Sequence, residues 1–128
     1  MPVKAEQESV ILAMDRGNGD VRLITTTLEK AGFQVSASSD QPSILNLCRA
    51  TDHSVRLVII DTTAPGIHIS ELVEGLRQID PGIRVITLSD QNESHTPGTR
   101  GGHLTRPFRR AQLLGSVLEA TQPLYRTA

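Results

Sequence analysis

Aromatic side chains, cysteine and long apolar runs are all scarce in this chain of 128 residues. Aromatic residues make up 2% of it and are scattered, at Phe33, Phe108 and Tyr125. A surface that stacks nucleic-acid bases needs aromatic rings close together, so this composition argues against one. The single cysteine, Cys48, excludes an internal disulfide and is compatible with a reducing compartment.

A strong charge of either sign is also missing. The chain has 13 Lys and Arg against 14 Asp and Glu, which gives a formal net charge of −1. This balance predicts no direct binding to nucleic acid and none to an anionic membrane. No apolar run approaches the length of about 18 residues that marks a membrane-spanning helix, and no cationic and apolar leader opens the chain. We therefore expect a cytoplasmic protein.

Short apolar runs alternate with amphipathic segments along the chain. Strands are predicted at Val10–Met14, Phe33–Ala37, Leu57–Ile60, Ile83–Leu88 and Gly102–Thr105. Four amphipathic helices are predicted, with inward faces formed by Val21, Ile24 and Leu28; by Ile44, Leu45, Leu47 and Cys48; by Ile69, Leu72, Val73 and Leu76; and, over Arg109–Ala120, by Leu113, Leu114, Val117 and Leu118. The alternation predicts an α/β fold, a single flavodoxin-like domain with a doubly wound, five-stranded parallel sheet.

Helix-capping residues flank two of these segments. Asp20 is suited to cap the first helix, expected over Val21–Ala31, and Gly32 suits the left-handed position that ends it. Ser39 or Asp40 is suited to cap the second helix.

Polar side chains stand where three of the predicted strands end. Asp15, Asp61 and Ser89 each follow an apolar run directly, and Arg106 follows the last short strand. The carboxyl ends of parallel strands meet at one edge of the sheet, where ligands usually bind. We therefore expect these four side chains to form the functional site.

Several segments in this order resemble the receiver domain of bacterial two-component response regulators, from about Val10 to Ala120. The resemblance is carried by Ile11–Asp15, Leu57–Gly66, Leu76–Pro81, Val85–Ser89 and Leu104–Phe108. It implies a receiver-like domain over residues 9–121, between a flexible N-terminus (1–8) and a C-terminal tail (122–128). It also implies a signalling role rather than an enzyme. The domain would be a stand-alone protein or part of a longer regulator, plausibly one of transcription.

The resemblance assigns a role to each strand-end residue. Asp61 would be the phospho-acceptor, Ser89 the hydroxyl that binds the phosphoryl group, and Arg106 would stand where the family has a lysine. Mg²⁺ would be held by Asp15, Asp61 and the backbone carbonyl of Thr63. The implied partners are a sensor histidine kinase or another signalling protein, and a second copy through the region of the last helix.

The sequence departs from the family pattern at this site. The second acidic residue of the metal site is replaced by Arg16, and His103 stands where the family has a switch aromatic. The span between Ser89 and Arg106 is short, which predicts that the helix the family has in this span, its fourth, is shortened or replaced by a loop.

The charge balance at the site bears on metal binding. Two carboxylates, Asp15 and Asp61, face two guanidiniums, Arg16 and Arg106, and the sum near zero predicts weak Mg²⁺ binding. Arg16 is expected to pair with Asp61 instead of a metal. We therefore expect a degenerate phosphorylation site, with a conventional phospho-receiver as the alternative.

Three other features of the sequence bear on function. Gly17-Asn18-Gly19 precedes a helix whose N-terminus could hold a phosphate, so a flavodoxin-like protein that binds a small ligand stays open. His103 is expected to be a surface side chain. Arg106, Arg109 and Arg110 form a small basic cluster, suited to a solvated helix start or an acidic partner.

Overall fold

The computed structural model describes residues 8–15, 19–50, 55–90 and 102–121 of the chain. Within these ranges lie β1 (Ser9–Ala13), α1 (Gly19–Lys30), β2 (Gln34–Ser38), α2 (Gln41–Ala50), β3 (Val55–Asp61), α3 (Ile69–Ile79), β4 (Arg84–Ser89), β5 (His103–Thr105) and α4 (Arg110–Thr121). The predicted order of elements is confirmed. The predicted tails and the shortened helix lie mainly or wholly outside the described residues.

All strand pairs in the sheet are parallel, in the order β2-β1-β3-β4-β5. The central strand, β3, pairs with β1 on one side and with β4 on the other. This order is that of doubly wound, flavodoxin-like sheets, so the predicted fold class is confirmed.

Helices cover both faces of the sheet, and this explains the unbroken apolar run of β3. Leu57 and Ile59 pack into the core beneath α1 and α4, whereas Val58 and Ile60 pack into the core beneath α2 and α3. Side chains of a strand alternate between the two faces, so a strand covered on both sides needs apolar residues throughout. None of the described helices is long and apolar enough to cross a bilayer.

Two predicted core positions have different outcomes. Cys48 is buried as predicted, and desolvation by burial raises the pKa of its thiol from 9.0 to about 11. The prediction for Leu118 is wrong, because its side chain is 47% exposed. Leu113 and Val117 form the buried face of α4, and Leu118, one residue further on, points away from it.

The helix ends follow local capping chemistry. Gly32 has a φ of 100°, and the Gly32 and Phe33 amides donate to the Glu29 and Leu28 carbonyls, which closes α1 as a Schellman motif. The carboxylate of Asp40 accepts a hydrogen bond from the Ser43 amide, and so caps α2 as predicted. The prediction for Asp20 is wrong, because α1 begins at Gly19 and Asp20 lies inside its first turn.

Exchanging two glycines for alanine tests this account of the helix ends. Gly32→Ala should lower the free energy of unfolding by about 1 kcal/mol, because a Cβ is strained at positive φ. Gly115→Ala, inside α4 with open space around its Cβ, should raise it by about 0.5–1 kcal/mol. Urea denaturation measures both, and equal effects of the two changes would contradict the assignment.

Candidate functional site

The sheet topology brings the predicted site residues to one edge. Asp61 and Ser89 are the last residues of β3 and β4, which are adjacent strands. Arg106 directly follows β5, and Asp15 lies two residues beyond β1. The parallel sheet therefore gathers carboxylates, a hydroxyl and a guanidinium at its carboxyl edge.

Both carboxylate oxygens of Asp61 are engaged by the chain itself. Oδ1 accepts hydrogen bonds from the Thr63 amide (2.9 Å) and the Thr63 hydroxyl (2.7 Å). Oδ2 accepts one from Nη2 of Arg106 at 2.9 Å. The Asp61 side chain is 2% exposed, so this charge is neutralised and hydrogen-bonded away from water.

Arg106 binds three carboxylates from three parts of the chain. Besides Asp61, its Nε donates to Asp20 Oδ2 at 2.6 Å and its Nη1 donates to Asp90 Oδ1 at 3.3 Å. Asp20 lies in the first turn of α1, and Asp90 directly follows β4. We call these four side chains, Arg106 with Asp20, Asp61 and Asp90, the arginine cluster.

The surroundings of Arg106 keep it charged. Burial alone would lower the pKa of its guanidinium, but the hydrogen bonds and charges of Asp20 and Asp61 raise that pKa above its ordinary value. The cation of the arginine cluster is therefore present throughout the neutral pH range.

The charge balance expected from the sequence needs correction. Sequence reasoning counted Asp15 and Asp61 but missed Asp20 and Asp90, because nothing local to those residues shows that they contact Arg106. The arginine cluster alone has a formal net charge of −2. Arg16 lies outside the described residues, so its pairing with Asp61 stays a prediction; the partner that the structure records for Oδ2 is Arg106.

The described residues do not fit the magnesium ion that the receiver resemblance implies. No group of three His, Cys, Asp or Glu side chains within the described ranges is arranged to hold a metal ion. Mg²⁺ needs carboxylate oxygens directed at one centre, whereas those of Asp20, Asp61 and Asp90 are directed at a guanidinium. The ligand role of Asp15 and of the Thr63 carbonyl stays a prediction.

The prediction that His103 is a surface side chain is wrong. Its ring is partly buried, with Nδ1 2.5 Å from the Thr87 hydroxyl and Nε2 2.9 Å from the Ser89 hydroxyl. Both hydroxyls belong to buried residues of β4, and the parallel register pairs Thr87 with His103. The imidazole therefore holds the Ser89 hydroxyl, the group expected to bind a phosphoryl oxygen.

The basic cluster predicted at the start of the last helix is divided in the structure. Arg106 turns towards the three carboxylates, whereas Arg109 and Arg110 are exposed. Gly17 and Asn18 of the predicted phosphate-binding loop lie outside the described residues, so that alternative stays a prediction.

The chain is similar in structure to solved receiver domains of response regulators. A response regulator receiver protein from Sinorhizobium medicae has 23% identity and a TM-score of 0.72, with 91% of this chain and 95% of that chain covered. A putative response regulator from Chloroflexus aurantiacus has 18% identity and a TM-score of 0.77. A response regulator from Thermotoga maritima has 20% identity and a TM-score of 0.75. For both, the match covers 91% of this chain and 99% of the other.

The chain therefore has the receiver-domain fold of the response regulators of two-component signalling. No protein-family model and no curated protein sequence matches it. At these identities the likeness extends to the fold, and the roles of individual residues depend on the geometry of the site.

Removing the guanidinium tests how much the site depends on it. Arg106→Ala should lower the free energy of unfolding by about 3 kcal/mol, because it leaves the buried charge of Asp61 without a counter-ion. Arg109→Ala, an exposed arginine close by in the chain, should change it by less than about 0.5 kcal/mol.

A double-mutant cycle separates the ion pair from general loss of packing. Adding Asp61→Asn to Arg106→Ala should recover about 1 kcal/mol or more, since the uncompensated charge is then gone. Strictly additive losses in urea denaturation would contradict the pairing.

Proposed function

We propose that this chain is a receiver-like signalling module with a degenerate phosphorylation site, acting through protein contacts rather than through catalysis. In this proposal it works in the cytoplasm, in two-component signalling, and regulates transcription or a partner protein. The observation that carries the proposal is the double engagement of Asp61, by Thr63 at one oxygen and by Arg106 at the other.

The contacts of Asp61 oppose its use as a nucleophile. A carboxylate that accepts a phosphoryl group must present an oxygen lone pair to the phosphorus of the donor. Asp61 Oδ2 instead accepts a charge-assisted hydrogen bond, and its Oδ1 accepts two hydrogen bonds from one residue. Releasing either oxygen would break hydrogen bonds of a side chain that is 2% exposed, so the ground state disfavours attack.

The contacts of Ser89 oppose the conformational change that phosphorylation would trigger. A switch of this kind needs Ser89 to leave its resting position, but its hydroxyl is bound to His103, which also binds Thr87. The arginine cluster meanwhile connects α1 to the ends of β3 and β4. Both sets of contacts favour a single conformation, which suits a domain that presents a constant surface to its partner.

The partners follow from this conformation. A histidine kinase or another signalling protein would recognise the domain without phosphoryl transfer, and a second copy could do so through the region of α4. In the conventional alternative, Asp61 is an active phospho-acceptor, and the site binds Mg²⁺ and an acyl-phosphate mimic.

Amide NMR spectra during titration with Mg²⁺ and then beryllofluoride, an acyl-phosphate mimic, discriminate the two. We expect no saturable shifts at Asp61, Ser89 and Arg106 at millimolar Mg²⁺, and none in α4 after beryllofluoride. The reason is that the oxygens an ion would need are bound to Arg106 and Thr63.

Asp61→Asn is the matched control, because it removes the acceptor and keeps a side chain of the same shape. Saturable shifts that are lost in Asp61→Asn would overturn the proposal and identify a working phospho-receiver. Shifts that persist in Asp61→Asn would report ion binding elsewhere on the chain.

A further inference from the structure

A groove lies between α1 and α4, apart from the arginine cluster. It has a volume of about 350 Å³ and is lined by Thr26, Thr27, Lys30, Ala31, Arg110, Ala111 and Leu114. None of the residues that bind Asp61 or Arg106 is among them. The groove therefore belongs to the helix layer and is separate from the predicted phosphorylation site.

Small side chains open this groove. Ala31 at the end of α1 and Ala111 in the first turn of α4 are both exposed and extend no further than a methyl group. Leu114, half-buried against the core beneath α1 and α4, supplies an apolar wall. Longer side chains at the two alanines would fill the space, so the concavity is set by residue size.

The charge of the groove has one sign. Lys30 and Arg110 are its charged residues, both are exposed, and neither forms an ion pair with another described residue. Two unpaired cations beside an apolar wall are complementary to an anion that carries an apolar chain.

We propose that the groove binds a small amphipathic carboxylate, with its head between Lys30 and Arg110 and its apolar chain against Leu114 and the two alanines. A volume of about 350 Å³ is at the lower end of the range of about 300–1,000 Å³ for small-molecule sites. A free small molecule fits better than a membrane, because the chain has a net charge of −1 and Leu118 is the exposed large apolar residue of the described ranges.

Octanoate is the probe for this site, with octan-1-ol and acetate as matched controls that lack the charge or the apolar chain. In amide NMR titrations of the full chain, octanoate should give saturable shifts in residues 26–31 and 110–114. The two controls should not saturate in the same concentration range. Equal binding of octan-1-ol, equal binding of acetate, or no saturable shift with octanoate would each overturn the proposal.

Variants locate the binding to the groove. Arg110→Gln should weaken octanoate binding by about tenfold, because it removes a charge-assisted contact, whereas Arg109→Gln, at the adjacent residue outside the groove, should leave it unchanged. Ala111→Leu should abolish binding by filling the space. Equal weakening by both arginine variants would indicate diffuse attraction to basic residues and overturn the proposal. This comparison does not require the Ala111→Leu variant to fold.

Discussion

The guanidinium of Arg106, placed among three carboxylates, is the interaction on which the arrangement of this site depends. A guanidinium is planar and directs its N–H groups outward in several directions, so one side chain can bind Asp20, Asp61 and Asp90 at once. A lysine at the same position would carry the same charge on one compact ammonium group and could not span the three. An arginine and a lysine, equal in charge, would therefore give this site different contacts.

Charge and geometry favour opposite outcomes for metal binding at this site. The arginine cluster has a formal net charge of −2, which by itself would favour a divalent cation. The geometry opposes it, because the carboxylate oxygens converge on nitrogen donors and leave no common centre for an ion among the described residues. The weak magnesium binding expected from the sequence stays a prediction, and its physical reason changes from neutral charge to engaged ligands.

The fold was predictable from the sequence because its signals are local, whereas the contacts of the site were not. Alternating apolar runs and helical spacing lead to a parallel sheet, and a parallel sheet brings Asp61, Ser89 and Arg106 to one edge. The contact between Arg106 and Asp20 joins residues 86 positions apart and depends on side-chain conformations that no local pattern specifies. His103 was misjudged for a similar reason, since its contact with Thr87 follows from the register of β4 and β5.

Asp61 at the end of β3 and Ser89 at the end of β4 are both held by hydrogen bonds, and both sets of hydrogen bonds oppose a phosphorylation switch. Arg106 and Thr63 occupy the carboxylate that would be modified, and His103 occupies the hydroxyl that would respond to the modification. If Asp61 alone were engaged, a strong donor could still drive the domain into a second state that Ser89 would stabilise. With Ser89 also bound, that state would have to break a second set of hydrogen bonds before gaining any, so its population falls further. Under the proposed function, the two sets of contacts together hold the surface helices, among them α1 and α4, in one fixed arrangement.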